Sequence, residues 1–529
     1  MRTTLFKTML CAILMALSLK SATASAVSEK SYDVVVYGAT ASGAAAAIAA
    51  ARQGLRVVLV DPGHHVGGMV SGGLSHTDTG EKVVIGGISR EFFERVGRKY
   101  GAAIEWDFEP RVAEQVFTEM LREAHVTTIF DHALREENGV TKNASTIVAV
   151  TLDDGRILRA PVFIDASYEG DLMAQAKVTY TWGREDASQY GESLAGIRPP
   201  QRPDHNFNVR VSPFAVNGSF LPGVRAGPIG TIGQGDKKVQ AYNFRMTFTD
   251  VKANRIPYPK PEGYDPARYA LLKRLIDALT AANGRPPVMQ ELMIMSPVRG
   301  GKFDINSYGG FSTDNVGGSW RYPVAGYAER KQIWKDHQTY EAGFFYFLAN
   351  DPSVPKSLQD EVNQYGLAAD EFVDNGGWPY QLYIREGRRM VGEYVMTQKD
   401  IQTEITKPDS IGMGSYQSDS HHVERMSTED GLVRNEGEMY VPTHPYEIPF
   451  GMMLPKTSEA SNLLVPVCFS ASHVAYATLR MEPQYMILGE AAGVAAALAV
   501  RGRVPVSKIS VAKLQARLRE QRAVLSLQD

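Results

Sequence analysis

A strand–turn–helix–strand unit over residues 33–61, irregular Pro-, Tyr- and Asn-rich sequence from about 195 to 440, and a return of apolar, small-residue texture at Leu463 together predict an α/β fold. One domain is expected to be built from both ends of the chain, over 30–192 and 446–529, with a mixed α+β domain inserted over 193–445. A length of 529 residues, 44% of them hydrophobic, suits two or three domains with full cores.

The elements follow in order. Val34 to Tyr37 is a continuous apolar run, as in a strand buried on both faces. Ala44 to Gln53 is nearly pure alanine, the best helix former, and Gly54 ends it. Val57 to Val60 is the second strand, closing on Asp61. Ile88, Phe92, Val96 and Tyr100, then Val112, Val116, Met120 and Ala124, mark two amphipathic helices. Asp153-Asp154-Gly155 between Thr146–Val150 and Arg156–Leu158 is a hairpin signal, and Val162 to Ile164 a further buried strand. Helices are expected at Arg268 to Leu279 and at about Gln484 to Arg501.

The first 26 residues read as a segment apart. Arg2 and Lys7 precede an apolar run from Met9 to Leu19, and Ala24-Ser25-Ala26 is an A-x-A cleavage pattern. The expectation is a Sec-type signal peptide, a mature chain from Val27, a periplasmic or secreted protein and no transmembrane anchor after cleavage. Cys468 would then stand alone, which excludes an intrachain disulfide, a CxxC pair and a cysteine zinc cluster; no metal site is expected. With 56 Lys and Arg against 59 acidic residues the net charge is −3, so no basic field for nucleic acid exists.

Gly38-Ala39-Thr40-Ala41-Ser42-Gly43 stands at the first strand–helix turn. Gly38 permits the tight turn, Gly43 allows close helix–strand packing, and the helix N-terminus attracts a pyrophosphate, as in a Rossmann-type site. Asp61, 18 residues after Gly43, is placed to accept from an adenosine ribose. Thr40 replaces the middle glycine; its hydroxyl is available to a phosphate oxygen. The glycine pairs of Gly67-Gly68-Met69-Val70-Ser71-Gly72-Gly73, directly after the acidic residue, let backbone pass close to an extended ligand and favour FAD over NAD. Gly227 to Gly235 has no strand before it and reads as a plain loop.

With GATASG, HHVGGMVSGGLS from His64, FIDASYEGDLMA from Phe163, KFDIN from Lys302, YIREGRRMVGEY from Tyr383, SDSHHVER from Ser418 and the run from Ser470 to Ala499, nearly the whole mature chain resembles bacterial FAD-dependent oxidoreductases of the glutathione-reductase/fumarate-reductase type. Some members of that group are labelled xanthan lyases. The resemblance implies that Asp165-Ala166-Ser167 brings backbone close to the dinucleotide and that Leu134 makes the adenine backbone contact. It also implies that the helix start around Glu482, Gln484 and Tyr485 faces the flavin pyrimidine, where a positive helix end stabilises the reduced ring. His64 and His65 lie near where some relatives attach FAD through histidine.

Oxidising a C–H beside oxygen or nitrogen needs a base, and histidine titrates in the right range. His421 and His422, flanked by Asp419, and His473, seven residues before Arg480, are the candidates. Arg385, Arg388 and Arg389 read as a run on a helix able to clamp a carboxylate or the flavin. For each, a satisfied core or surface role is the bland alternative. The expected activity is FAD-dependent oxidation of a small-molecule substrate, a sugar, glycoside or alcohol, with oxygen, a quinone or a redox protein as electron acceptor. A redox-neutral lyase and an amine oxidase stay open.

Overall fold

The computed structural model describes residues 29–202 and 205–529; the expected signal segment lies outside them. Strand β1 (Val34–Tyr37) feeds helix α1 (Ala41–Arg52), which returns to β2 (Val57–Val60) alongside β1 in parallel register. Helices α2 (Gly87–Lys99) and α3 (Pro110–Glu123) bury Phe92, Val96, Val116 and Met120, the periodic positions of the sequence. Strand β3 (Thr127–Ile129) extends the sheet beyond β2, and β4 (Val162–Asp165) pairs with β1 on the other side. Between β3 and β4 the expected hairpin turns at Gly155, whose φ of +88° suits glycine.

Residues 246–368 build a second, antiparallel sheet from β5 (Met246–Thr249), β6 (Arg255–Ile256), β7 (Met293–Val298), β8 (Lys302–Ser307) and β9 (Gly366–Ala368), in the order β6-β9-β5-β8-β7. Helices α4 (Ala270–Asn283) and α5 (Tyr327–Asn350) belong to this part. Helix α5, with 24 residues, lies within the stretch expected to be irregular. Its apolar residues spread around the barrel instead of forming one stripe, so periodicity did not announce it.

The chain then returns to the first sheet. β10 (Leu463–Leu464) pairs in parallel with β4, giving the order β10-β4-β1-β2-β3 from both ends of the sequence. After α6 (His473–Leu479) comes α7 (Glu482–Gly502), which packs along α1. The glycines of α7 explain how closely. A Cβ at Gly489 would sit 2.1 Å from the Ser42 carbonyl oxygen, and one at Gly493 2.3 Å from that of Ala46. Alanine on α1 and glycine on α7 let the backbones nearly touch. By length and composition α7 passes for a membrane span, but 78% of its apolar window is buried inside the molecule, as in a core helix.

One expected element is corrected. Arg385, Arg388 and Arg389 do not share a helix face: residues 379–388 run without regular structure, and Arg389–Met390 pair as a short strand with Tyr180–Thr181. Backbone donors of this segment bond outward, Tyr383 N–H to Asn243 O, Met390 N–H to Cys468 O and Val391 N–H to Thr179 O. These long-range bonds replace the intrahelical ladder that a helix would need.

Candidate active site

At the β1–α1 turn Gly38 adopts φ +98°, and a Cβ there would lie 2.5 Å from the Ser167 amide nitrogen. At Gly43 a Cβ would meet the Gly38 carbonyl oxygen at 1.8 Å. Both expected glycine roles are therefore steric necessities. Thr40 caps α1: its hydroxyl accepts from Gly43 N–H at 3.1 Å and donates to Ala166 O at 2.8 Å. This corrects the expectation of a hydroxyl available to phosphate. Ala41 and Ser42 form the first turn, and Ser42 Oγ is buried without a partner.

Asp61 accepts from Ala39 N–H at 2.5 Å and Gly63 N–H at 2.7 Å. Burial drives its carboxyl up to about 7 against the pull of those two donors. Gly67 and Gly68 take φ of +108° and +55°, and Met69 N–H donates to Tyr168 Oη at 3.0 Å. Asp165 is fully buried and braces the β4 turn, accepting from Ser167 N–H, Ser167 Oγ and Met173 N–H. Ala39, Thr40, Asp61, Gly68 and Ser167 share the wall of a cavity of about 590 Å³, within the range of cofactor pockets.

Leu134 is a second correction. Its N–H donates to Tyr37 Oη at 3.1 Å and its carbonyl accepts from Tyr327 Oη at 2.7 Å, while its side chain packs in the core under the sheet. Its amide is therefore not left to donate to an adenine, and Ala133 lines the cavity instead. Of the two early histidines, His65 lines the cavity, stacked on Tyr380 at 3.4 Å and bonded to Glu114 at 2.8 Å, and exposed His64 pairs with Asp131.

The start of α7 is buried and unsatisfied. Glu482 Oε1 accepts from Tyr168 Oη at 2.9 Å, but Glu482 Oε2 and both amide atoms of Gln484 have no partner. Burial pushes the Glu482 carboxyl up to about 8, opposed by the Tyr168 bond. Tyr485 Oη bonds Tyr476 Oη at 2.8 Å.

A buried polar cluster adjoins this helix start through Arg480, just before it. Arg480 donates to Asp419 O at 2.7 Å and to Tyr383 Oη at 2.9 Å. Its neighbour Arg385 lies with its guanidinium 4.8 Å from the Tyr383 ring centre and 2.9 Å from Asp314 Oδ1. Asp314 Oδ2 is 2.7 Å from His421 Nδ1. Burial pushes Asp314 up, but Arg385 and His421 outweigh it and hold the carboxyl well below its usual range. Burial, then Arg385, depress His421 well below 6.5. His421 is thus a neutral imidazole whose Nδ1–H is given to a carboxylate, which leaves the Nε2 lone pair as a base.

The other candidates separate. Buried His422 has an unpartnered Nε2, 3.8 Å from Glu438 Oε2. His473 Nδ1 bonds Glu386 Oε2 at 2.7 Å, and Glu386 also takes Arg389, in a buried network of its own. Arg388 is held by Asp171 at 2.6 Å and Glu169 O at 3.0 Å and lines a different recess. A free clamp of three arginines is not what the fold builds. Asp314 and Tyr168 escaped the sequence reading; neither stands at a spacing that distinguishes it.

Over residues 33–518 the sequence matches the FAD dependent oxidoreductase family. The chain belongs to that family. It is an enzyme, and FAD is its cofactor. No curated relative matches it. Among solved structures it is similar to the anhydrotetracycline hydroxylase OxyS of Streptomyces rimosus, at 11% identity and TM-score 0.27, over 53% of this chain and 45% of that one. It is similar to the L-amino acid deaminase of Proteus vulgaris at 20% identity and TM-score 0.23, over 30% and 60%. The p-nitrophenol 4-monooxygenase PnpA of Pseudomonas putida DLL-E4 gives 15%, TM-score 0.21, 31% and 50%. The chain thus spans about half the length of these structures, and likenesses this slight leave the family match to stand alone. The residues fit FAD on their own account. The glycine turn leaves no room for side chains, and buried polar atoms of Ser42, Glu482 and Gln484 lack partners at the starts of the two helices that would face it.

Proposed function

We propose that the protein is an exported FAD-dependent dehydrogenase or oxidase that takes a hydride from a hydroxyl-bearing carbon of a small organic substrate, a sugar, glycoside or alcohol. The inserted segment 193–445 is its substrate domain. The observation that carries this reading is the His421–Asp314 pair at 2.7 Å in a buried polar cluster that reaches the residue before the α7 start, Arg480, through Arg385 and Tyr383. Gly38, Ala41, Ser42, Gly43, Asp61, Gly67, Gly68 and Ser167 would hold the dinucleotide, with Glu482 and Gln484 at the ring. When bound, FAD supplies a two-electron acceptor for the hydride. His421 Nε2 takes the hydroxyl proton as the C–H bond breaks, and the product is a carbonyl. Asp314 holds the imidazole in the basic tautomer and balances the imidazolium. Arg385, Arg480 and Tyr383 orient the substrate oxygen. Oxygen, a quinone or a redox protein outside the cytoplasm then removes the two electrons.

The test is anaerobic bleaching of the purified yellow protein against sugars, alcohols and amines. Bleaching by an alcohol-bearing substrate that is slowed in His421→Ala supports the reading. Turnover of a polysaccharide without bleaching, or bleaching by amines alone, overturns it. Mass spectrometry of the secreted protein checks for Val27 as first residue.

A further inference from the structure

The cavity that holds Asp61 and the glycine turn has a second wall, contributed by the part of the chain that builds the second sheet. Tyr327, Arg330, Lys331 and Trp334, at successive-turn positions of α5, face the same space as Thr40, Asp61 and Gly68. Arg330 is the unusual member. It is 7% exposed, its Nη1 lies 2.6 Å from Asp171 Oδ2, and its Nε donates to Tyr322 O at 3.2 Å. The Tyr322 ring centre lies 5.5 Å from the guanidinium carbon, a third neighbour beside Asp171 and the Tyr322 carbonyl. Yet Nη2, with two N–H groups, is buried and bonds to nothing. A buried, charged donor left unmade costs free energy, and a fold that fixes three sides of a guanidinium while leaving the fourth bare needs an acceptor there.

The chemistry of that acceptor follows from the wall around it. Asp171 is already shared between Arg330 and Arg388. Burial raises the Glu169 carboxyl, whose Oε1 accepts from Tyr322 Oη, and burial raises that of Asp61. Asp171 faces two guanidiniums at once, and Lys331 adds a third cation on the same side of the cavity. An anion supplied from outside the chain meets both needs, and planar N–H pairs suit phosphoryl oxygens. Opposite stands the α1 N-terminus, the other phosphate-seeking feature of the same cavity.

We propose that Arg330, assisted by Lys331, clamps the FAD diphosphate from the α5 side, so that the inserted segment forms part of the cofactor site. The clamp rests on the family's cofactor and assigns it residues that the glycine fingerprint does not include. It also gives a role to α5, whose Tyr327, Arg330, Lys331 and Trp334 line the same cavity as the β1–α1 turn.

The test measures binding of FAD, ADP and adenosine to the full chain, wild type against Arg330→Gln, Arg330→Lys and Lys331→Glu. ADP carries the diphosphate and adenosine does not, so their ratio separates a phosphate contact from a general loss of fold. Arg330→Gln is expected to weaken FAD and ADP about 10-fold or more while adenosine stays within about twofold, with partial recovery in Arg330→Lys. Should Arg330→Gln fail to fold, exposed Lys331→Glu carries the same comparison, with ADP weakened and adenosine unchanged. Equal weakening of ADP and adenosine, or no change in either, overturns the clamp. Wild-type protein that takes up no FAD would overturn the cofactor assignment and the clamp together; wild type that binds FAD with unaltered variants overturns the clamp alone.

Discussion

Replacing Glu482 by Gln should make the FAD-free protein more stable, and increasingly so as pH rises. The Glu482 carboxyl is buried at the α7 start, with Oε1 on Tyr168 Oη and Oε2 unpartnered, and its pKa stands at about 8 against an ordinary 4.5. The folded state therefore prefers the protonated acid. Its contribution to stability is fully present below pH 4.5, falls as the unfolded chain ionises, and is lost through pH 8. At 1.36 kcal/mol per pKa unit the full loss is about 5 kcal/mol, of which about 4 falls between pH 5 and 9. Gln keeps the carbonyl that accepts from Tyr168 and cannot ionise. Urea unfolding of the two apoproteins from pH 5 to 9 measures the difference. The curves should start close together at pH 5 and separate by several kcal/mol at pH 9, Glu482→Gln being the more stable. Parallel curves would refute the argument, since they would mean that Glu482 titrates alike in both states.

Gly489→Ala should cost roughly 1–3 kcal/mol or more and loosen FAD, because its Cβ lands 2.1 Å from Ser42 O and must push α7 off α1; thermal unfolding and flavin release measure both. His421→Ala should slow anaerobic flavin reduction about 10²–10⁴-fold while FAD stays bound, with a lesser loss in Asp314→Asn, read by stopped-flow absorbance. Because His421 titrates well below 6.5, the wild-type reduction rate should not fall between pH 8 and 6.5; a drop through pH 7 would assign the base elsewhere. Lys302→Met should lose about 3–5 kcal/mol, since Lys302 Nζ is buried against Glu109 at 2.7 Å, Asp370 at 2.9 Å and Glu371 at 2.5 Å. Part of that loss should vanish in acid, where the orphaned carboxylates protonate.

What was legible in the sequence was local. Gly38 and Gly43 could be assigned because a tight turn and a close helix are requirements of the backbone, and these write themselves as glycine at fixed spacing. The same holds for α1, α2 and α3, whose buried positions repeat within one helix. Thr40 shows the limit of such reading. Its type and place were visible, but whether the hydroxyl met a phosphate or the Ala166 carbonyl depended on β4, 126 residues away. Leu134 failed likewise, because a tyrosine from a distant strand, Tyr37, had already taken its amide.

The arginine run carries the physical lesson furthest. Three arginines within five residues suggested one positive surface, and in the structure they serve four separate acidic partners: Arg385 on Asp314, Arg388 on Asp171, Arg389 on Glu185 and Glu386. A buried guanidinium must be paired, and in a segment without helix consecutive side chains point into different compartments, so each finds its carboxylate elsewhere in the chain. Single unmatched donors remain even so, Nε on Arg385 and Arg388 and, in a helix that periodicity missed, Nη2 on Arg330, which is the one on the cavity wall beside the glycine turn. Charge density along a sequence therefore marks where a fold stores its internal ion pairs. The positions that await a ligand are those where the folded chain leaves one donor unmatched, and that is visible only once every partner has been placed.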